Sequence, residues 1–142
     1  MKKIRELLDD KGTEVWSIPP TKTVYDALSL MAEKNIGAVL VIENDQLLGI
    51  LSERDYTREV VLQGRTAKDT QVGEMMTSRP VCVGPEQTVE EGMALMTDKR
   101  VRHLPVVEEG RVVGLLSIGD AVKDTISEQK FIIKQLEQYI SG

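Results

Sequence analysis

Gly49-Ile50-Leu51-Ser52-Glu53-Arg54-Asp55 returns sixty-five residues later as Gly114-Leu115-Leu116-Ser117-Ile118-Gly119-Asp120. Working outward from this pair, the same offset aligns Pro20 with Pro85, Thr23 with Thr88, and Leu30-Met31 with Leu95-Met96. It also aligns Lys34 with Lys99 and Val41 with Val106. Register held without a gap from Pro20 to Asp55 and from Pro85 to Asp120 is the mark of an internal repeat. Each copy is too small to bury a sufficient core alone, so the two are expected to pack together.

Each copy has the same local grammar. A short β-like piece (Val15 to Ile18, Val81 to Val83) leads into a proline turn at Pro19-Pro20 or Gly84-Pro85. Thr23 and Thr88 then stand where a helix N-cap belongs. Val24, Ala27, Leu28 and Met31, like Val89, Gly92, Met93 and Met96, form an apolar helix face. Two strand candidates follow, Ala38 to Ile42 and Gln46 to Leu51, with Leu104 to Val107 and Arg111 to Leu116 in the second copy. Polar turns at Glu43-Asn44-Asp45 and Glu108-Glu109-Gly110 divide each pair. Their nearly continuous apolar runs predict a sheet covered on both faces. A second helix begins near Ser52 and Ser117. The fold class is therefore α/β, with tandem βαββα units plus terminal helices. The polar stretch from Gln63 to Thr70 reads as the linker. It divides the chain into residues 1–66, the first unit with an N-terminal helix, and 67–142, the second with a C-terminal helix. Ile132, Leu136, Tyr139 and Ile140 form a helical stripe outside the repeat, as Ile4, Leu7 and Leu8 do on a smaller scale. Both stripes need cover, from the repeat body or from a second chain.

Composition narrows the function. A formal net charge of −5 over 142 residues argues against a general grip on nucleic acid or anionic lipid. No apolar run reaches spanning length and no signal-peptide pattern opens the chain, so a cytoplasmic location is expected. Cys82 is the one cysteine and His103 the one histidine, too few for a zinc site. Cys82, inside Val81-Cys82-Val83, reads as a small buried core residue rather than a nucleophile. Met75-Met76 likewise reads as core. Neither phosphate-cradling glycine loop is present.

The repeated Gly-x-x-Ser-x-x-Asp has two readings. Ser at N-cap and Asp at N3 make a helix-capping box. The same helix start offers free amides and a positive dipole to phosphate, and its carboxylate can accept hydrogen bonds from adjacent ribose hydroxyls. Two occurrences, each preceded by glycine, tilt the balance toward a binding site.

With Gly73-Glu74-Met75-Met76-Thr77, Arg79 to Val83, Pro85, Thr88-Val89 and Arg102-His103-Leu104-Pro105-Val106-Val107, these motifs make the chain resemble a pair of CBS (cystathionine β-synthase) motifs, or Bateman module, over about residues 9 to 126. The resemblance implies two units packed sheet to sheet about a pseudo-two-fold axis, with two clefts for adenosine-containing ligands. AMP, ADP or ATP is expected, with NAD the alternative; S-adenosylmethionine is bound elsewhere in the family. It implies that Ser52-Asp55 and Ser117-Asp120 hold ribose. Asp120 would face a wall of Trp16, Ile36, Gly37 and Ala38; Asp55 would face Val81, Val101, Arg102 and His103. Trp16 reads either as core or as an aromatic at the cleft mouth that stacks on adenine. Arg54, Arg102 and His103 are the phosphate candidates; His103 stands open between that role and an ordinary packed histidine, and Arg58 between it and a solvated helix face. Because Gly119 replaces Arg54, and Gly37-Ala38 stand against Arg102-His103, unequal clefts are expected.

The function implied is a nucleotide sensor of energy or redox state, a homodimer acting in trans on a protein target. No catalytic or metal-binding residue is assigned. The competing reading is a ligand-free structural module mediating homodimerisation; an enzyme lacks the recurrent acid–base or metal-ligand chemistry.

Overall fold

The computed structural model describes residues 2–141. Its elements run α1 (Ile4–Lys11), β1 (Ser17–Ile18), α2 (Val24–Lys34), β2 (Ala38–Glu43), β3 (Gln46–Ser52), α3 (Glu53–Asp55), a π-helical turn (Tyr56–Val61), α4 (Val72–Met75), β4 (Thr77–Ser78), α5 (Val89–Lys99), β5 (His103–Glu108), β6 (Arg111–Ser117) and α6 (Ile118–Ser141). The tandem βαββα plan with terminal helices is the observed architecture.

Local chemistry sets these elements. The Thr23 and Thr88 hydroxyls accept the N–H groups of Asp26 and Glu91, both at 3.1 Å, and start α2 and α5. Asn35 and Arg100, at φ 54° and 57°, end those helices in the left-handed region. Two-residue turns with both φ positive, Asn44-Asp45 and Glu109-Gly110, close the β2–β3 and β5–β6 hairpins. Such turns match the strands' own twist.

The first strand differs between the copies. In the first, β1 pairs parallel to β2, and the Leu40 N–H donates to the Trp16 carbonyl at 3.0 Å. In the second, the strand expected at Val81 to Val83 is reduced to one parallel bridge, Val83 to Val106. Pro105 stands where Leu40 does and has no N–H to give the Val81 carbonyl, so that rung cannot form. The sheets are accordingly unequal, β1-β2-β3-β4 against β5-β6.

The covering segments are crossed. Ile4, Leu7 and Leu8 of α1 lie in the core of the second unit, with Met96, Leu104 and Leu116. Val72 of α4 lies in the core of the first, with Met31, Val41 and Leu51. Chain order groups α1 with residues 1–66; packing groups it with the other unit. The two segments dock alike. Ile4 N–H donates to the Gln87 carbonyl and Val72 N–H to the Lys22 carbonyl, both at 2.8 Å. Leu8 presses on Gly114 and Met76 on Gly49, so closely that a Cβ on either glycine would fall 2.7 Å from that side chain. Residues 2–11 thus correspond to residues 70–79 at an offset of 68, with Glu6 and Glu74 at the same position of matching capping boxes.

Gln63 to Thr70 is a docked strap rather than a free linker. Its Ala67 and Thr70 carbonyls accept N–H groups of Tyr25 and Val24 at the start of α2, and Thr70 is buried. Between the sheets, Ala38, Leu40 and Ile50 meet Val112 and Leu115. Lys2 bridges Asp10 and Asp124, each at 2.7 Å, tying α1 to α6. Cys82 is exposed, against the expectation of a core position, because its short segment lies outside the sheet.

Ile4 tests the crossed core. Ile4→Ala leaves a cavity in the second unit and should cost about 2–5 kcal/mol. The check is the urea midpoint at unchanged slope; a surface helix would lose far less.

Candidate functional site

β3 runs straight into α3, which makes Ser52 an N-cap. The Ser52 hydroxyl accepts the Asp55 N–H at 3.1 Å, and Asp55 Oδ2 accepts the Ser52 N–H at 3.0 Å. The capping box exists, yet it engages only Oδ2. Among the described residues Asp55 Oδ1 has no hydrogen-bond partner, which leaves it free to accept from a ligand.

Asp55 lines a cavity of about 340 Å³. Of the residues expected at a site, Gly37, Ser52, Arg54, Asp55, Val81, Val101, Arg102 and His103 are brought together there. The cavity thus joins the first unit's Asp to the second unit's wall. Arg58, carried by the π-helical turn, also lines it. Two cations that sequence reading missed complete the lining, Arg79 and Arg100. Both have positive φ, 52° and 57°. Five guanidinium groups therefore surround the cavity, against the carboxylates of Glu53 and Asp55. None of the five forms an ion pair among the described residues. Such a concentration of unneutralised positive charge suits a polyanion.

The second cleft is built differently. Asp120 keeps its capping partner, the Ser117 hydroxyl accepting the Asp120 N–H at 3.1 Å. Its Oδ2 is also taken by the Lys11 ammonium at 2.5 Å, which donates further to the Leu115 carbonyl at 2.9 Å. Burial pushes the Asp120 carboxyl up, but Lys11 and Ser117 together outweigh it and hold the group below its ordinary value. Lys11 is the counterpart of Arg79 at the 68-residue offset, and Leu115 of Ile50 at 65, so a cation from the covering segment reaches both clefts. Of the wall expected opposite Asp120, Gly37 lines the Asp55 cavity instead. Trp16 and Ile36 pack on the first unit's core, with the Lys34 ammonium 4.3 Å over the Trp16 ring. Ala38 is buried between the sheets and offers no side-chain surface.

His103 lies between the two Asp sites. Its Cε1 and Nε2 would be 3.8 Å from a Cβ on Gly37. Burial is the largest influence and lowers its pKa; Lys11 and Arg102 act with it, while Asp120 and Asp55 oppose. Cys82 is no nucleophile candidate: desolvation raises its thiol, which donates to the Pro80 carbonyl. Among the described residues no group of three His, Cys, Asp or Glu side chains could hold a metal ion.

The model of the CBS domain matches residues 4–62 and again 72–125. The chain belongs to the CBS domain family. The mitochondrial CBS domain-containing protein CBSX3 of Arabidopsis thaliana is 42% identical over 125 residues, covering 84% of this chain and 61% of that protein. This chain therefore spans about three fifths of that curated relative. A solved CBS domain structure, NE2398, is 50% identical with a TM-score of 0.85, covering 88% of this chain and 98% of that one. The fold also matches the CBS domain pair of MJ0100, solved with 5′-methylthioadenosine and S-adenosyl-L-methionine, at a TM-score of 0.80 and 17% identity. CBS pairs are regulatory, ligand-binding modules without catalytic machinery, and this Bateman module is one of them.

His103 gives the module a pH-dependent stability. The unfolded imidazole takes up a proton near pH ~6.5, and the folded one resists it. The unfolded state then binds more protons, so stability is full above that range and falls as pH drops through it. Thermal midpoints should decline from about pH 7.5 to about pH 5.5, and His103→Gln should flatten the slope over that interval. An unchanged slope in the variant would exclude His103 as its source.

Proposed function

We propose that this chain senses an adenosine nucleotide in the cytoplasm, binding AMP, ADP or ATP in the cavity between its two units. The carrying observation is Asp55 beside five arginines in one cavity, none of them in an ion pair among the described residues. Ribose hydroxyls donate to the free Asp55 oxygen while the start of α3, Arg54 and Arg79 meet the phosphates. The apolar edge of Val81 and Val101 suits a base. A volume of about 340 Å³ lies at the lower end of small-molecule sites and favours a mononucleotide over NAD, the second reading. The adenosine ligands of MJ0100 support the nucleoside class.

The regulatory consequence follows from the lining. Gly37, Ser52, Asp55 and Arg58 belong to one unit; Arg100, Arg102 and His103 belong to the other. A bound polyanion cancels repulsion among these cations and clamps the units together. A ligand in excess by about 100-fold over Kd would add roughly 2.7 kcal/mol of stability. A protein target would read the change in trans, with the module acting as a homodimer.

Calorimetric titration with AMP, ADP and ATP tests this. One nucleotide per chain is expected, with Asp55→Ala and Arg79→Ala each weakening it at least about tenfold, the loss of a charge-assisted hydrogen bond. Circular dichroism should stay native, since losing the capping carboxylate costs only about 0.5–2 kcal/mol. No heat and no thermal shift with any adenosine ligand would return the module to the ligand-free structural reading.

Lys11 explains a stoichiometry of one. Its ammonium neutralises the Asp120 carboxylate through Oδ2, the capping oxygen, which weakens the remaining oxygen as an acceptor for ribose hydroxyls. Lys11→Ala should vacate that carboxylate and raise the stoichiometry toward two at high ligand concentration. Loss of nucleotide affinity in the same variant would instead make Lys11 a phosphate contact.

A further inference from the structure

Helix α6 outruns the body it grows from. Ala121 is buried and Asp124 and Thr125 are half-buried, but every residue from Ile126 to Ile140 is exposed. At 1.5 Å per residue this projecting part is roughly 22 Å long. An isolated helix of that length is marginal in water. Yet it carries Ile126, Phe131, Ile132, Ile133, Leu136, Tyr139 and Ile140, all between 47% and 87% exposed, and all but Phe131 fall on one side. Something must cover them.

The spacing says what. Ile126, Gln129, Ile133, Leu136 and Ile140 recur at alternating steps of four and three. That is the seam of a two-helix coiled coil, with Ile126, Ile133 and Ile140 at one core position and Gln129 and Leu136 at the other. The flanks of the seam give the direction. One edge carries Lys130 and Glu137, the other Ile132 and Tyr139. In a parallel pair unlike edges meet, which sets the two charges against the apolar edge. In an antiparallel pair like edges meet. Lys130 then faces the second copy's Glu137, and the relation repeats across the dyad, while Ile132 faces the second copy's Tyr139. In this arrangement the partner's last turn lies beside Gln129 and Lys130. Its apolar Ile140 packs between Ile126 and Ile133, and its terminal carbonyls, the negative end of the helix dipole, meet Lys130.

We infer that the occupant is a second copy of this chain, paired antiparallel through residues 126–140 of α6. This interface rests on the homodimer proposed above but not on the nucleotide site. Ile133 faces the second copy's Leu136, and Gln129 faces its Ile140. Disulfide trapping of the full chain decides the geometry, in a Cys82→Ser background. Gln129→Cys combined with Ile140→Cys should give a covalent dimer as the main oxidised species. Ile140→Cys alone should stay monomeric on a denaturing gel, since its two copies lie roughly 16 Å apart along the axis. Trapping by Ile140→Cys alone, or none by the pair, overturns the proposal. Sedimentation should also show that Lys130→Glu or Glu137→Lys weakens the pairing and that the double swap restores it; no rescue counts against the antiparallel register. Nucleotide titration of Ile133→Asp/Leu136→Asp should be unchanged, so that loss of pairing and loss of ligand binding are read separately.

Discussion

The structure depends on an exchange: each unit is closed by the chain segment that precedes the other. α1 fills the core over β5 and β6, and α4 fills the one over β2 and β3. The contact is close enough to require glycine beneath it, at Gly114 under Leu8 and Gly49 under Met76. A Cβ at Gly49 would fall 2.6 Å from the Thr77 carbonyl and displace the covering backbone, while one at Gly114 would force the Leu8 side chain aside.

The same exchange delivers a cation to each cleft. Where the covering chain leaves its helix early, after Met75, it continues as β4 and sets Arg79 beside the cavity. Where the helix runs on to Lys11, the ammonium reaches Asp120 itself. A difference of helix length between related segments thus makes two like motifs into unlike sites. The exposed partners and partial solvation keep the Lys11–Asp120 pair weak, on the scale of a surface salt bridge.

The repeat, the capped helices and the hairpins were legible in the sequence because each rests on local chemistry: a threonine cap, a two-residue turn, an apolar period. The pairing of Asp55 with the Val81 and Val101 wall came from the resemblance to CBS pairs, not from the residues by themselves. The cover by α1 was not. Its counterpart at residues 70–79 lies at an offset of 68, and the copies were aligned at 65. Only Glu6 and Glu74 are identical between the two, so Lys11 and Arg79 could not be paired by eye. The shortened strand at Val83 was written in Pro105, whose missing N–H is visible in sequence but whose effect needs the neighbouring Val81 carbonyl. Cys82 misled because alternation with valines looks the same in a strand and in an extended loop.

Crossed closure also bears on ancestry. A single βαββα polypeptide preceded by its own short helix could not have closed itself in this way. Two identical molecules could, each lending its opening helix to the other around a true two-fold axis. Gene duplication and fusion would convert that reciprocal loan into an intramolecular one, with residues 63–70 as the seam, and would free the two halves to diverge. The differing residues at the two motifs, Lys11 against Arg79 and Gly119 against Arg54, are an asymmetry that two copies of one sequence could not carry.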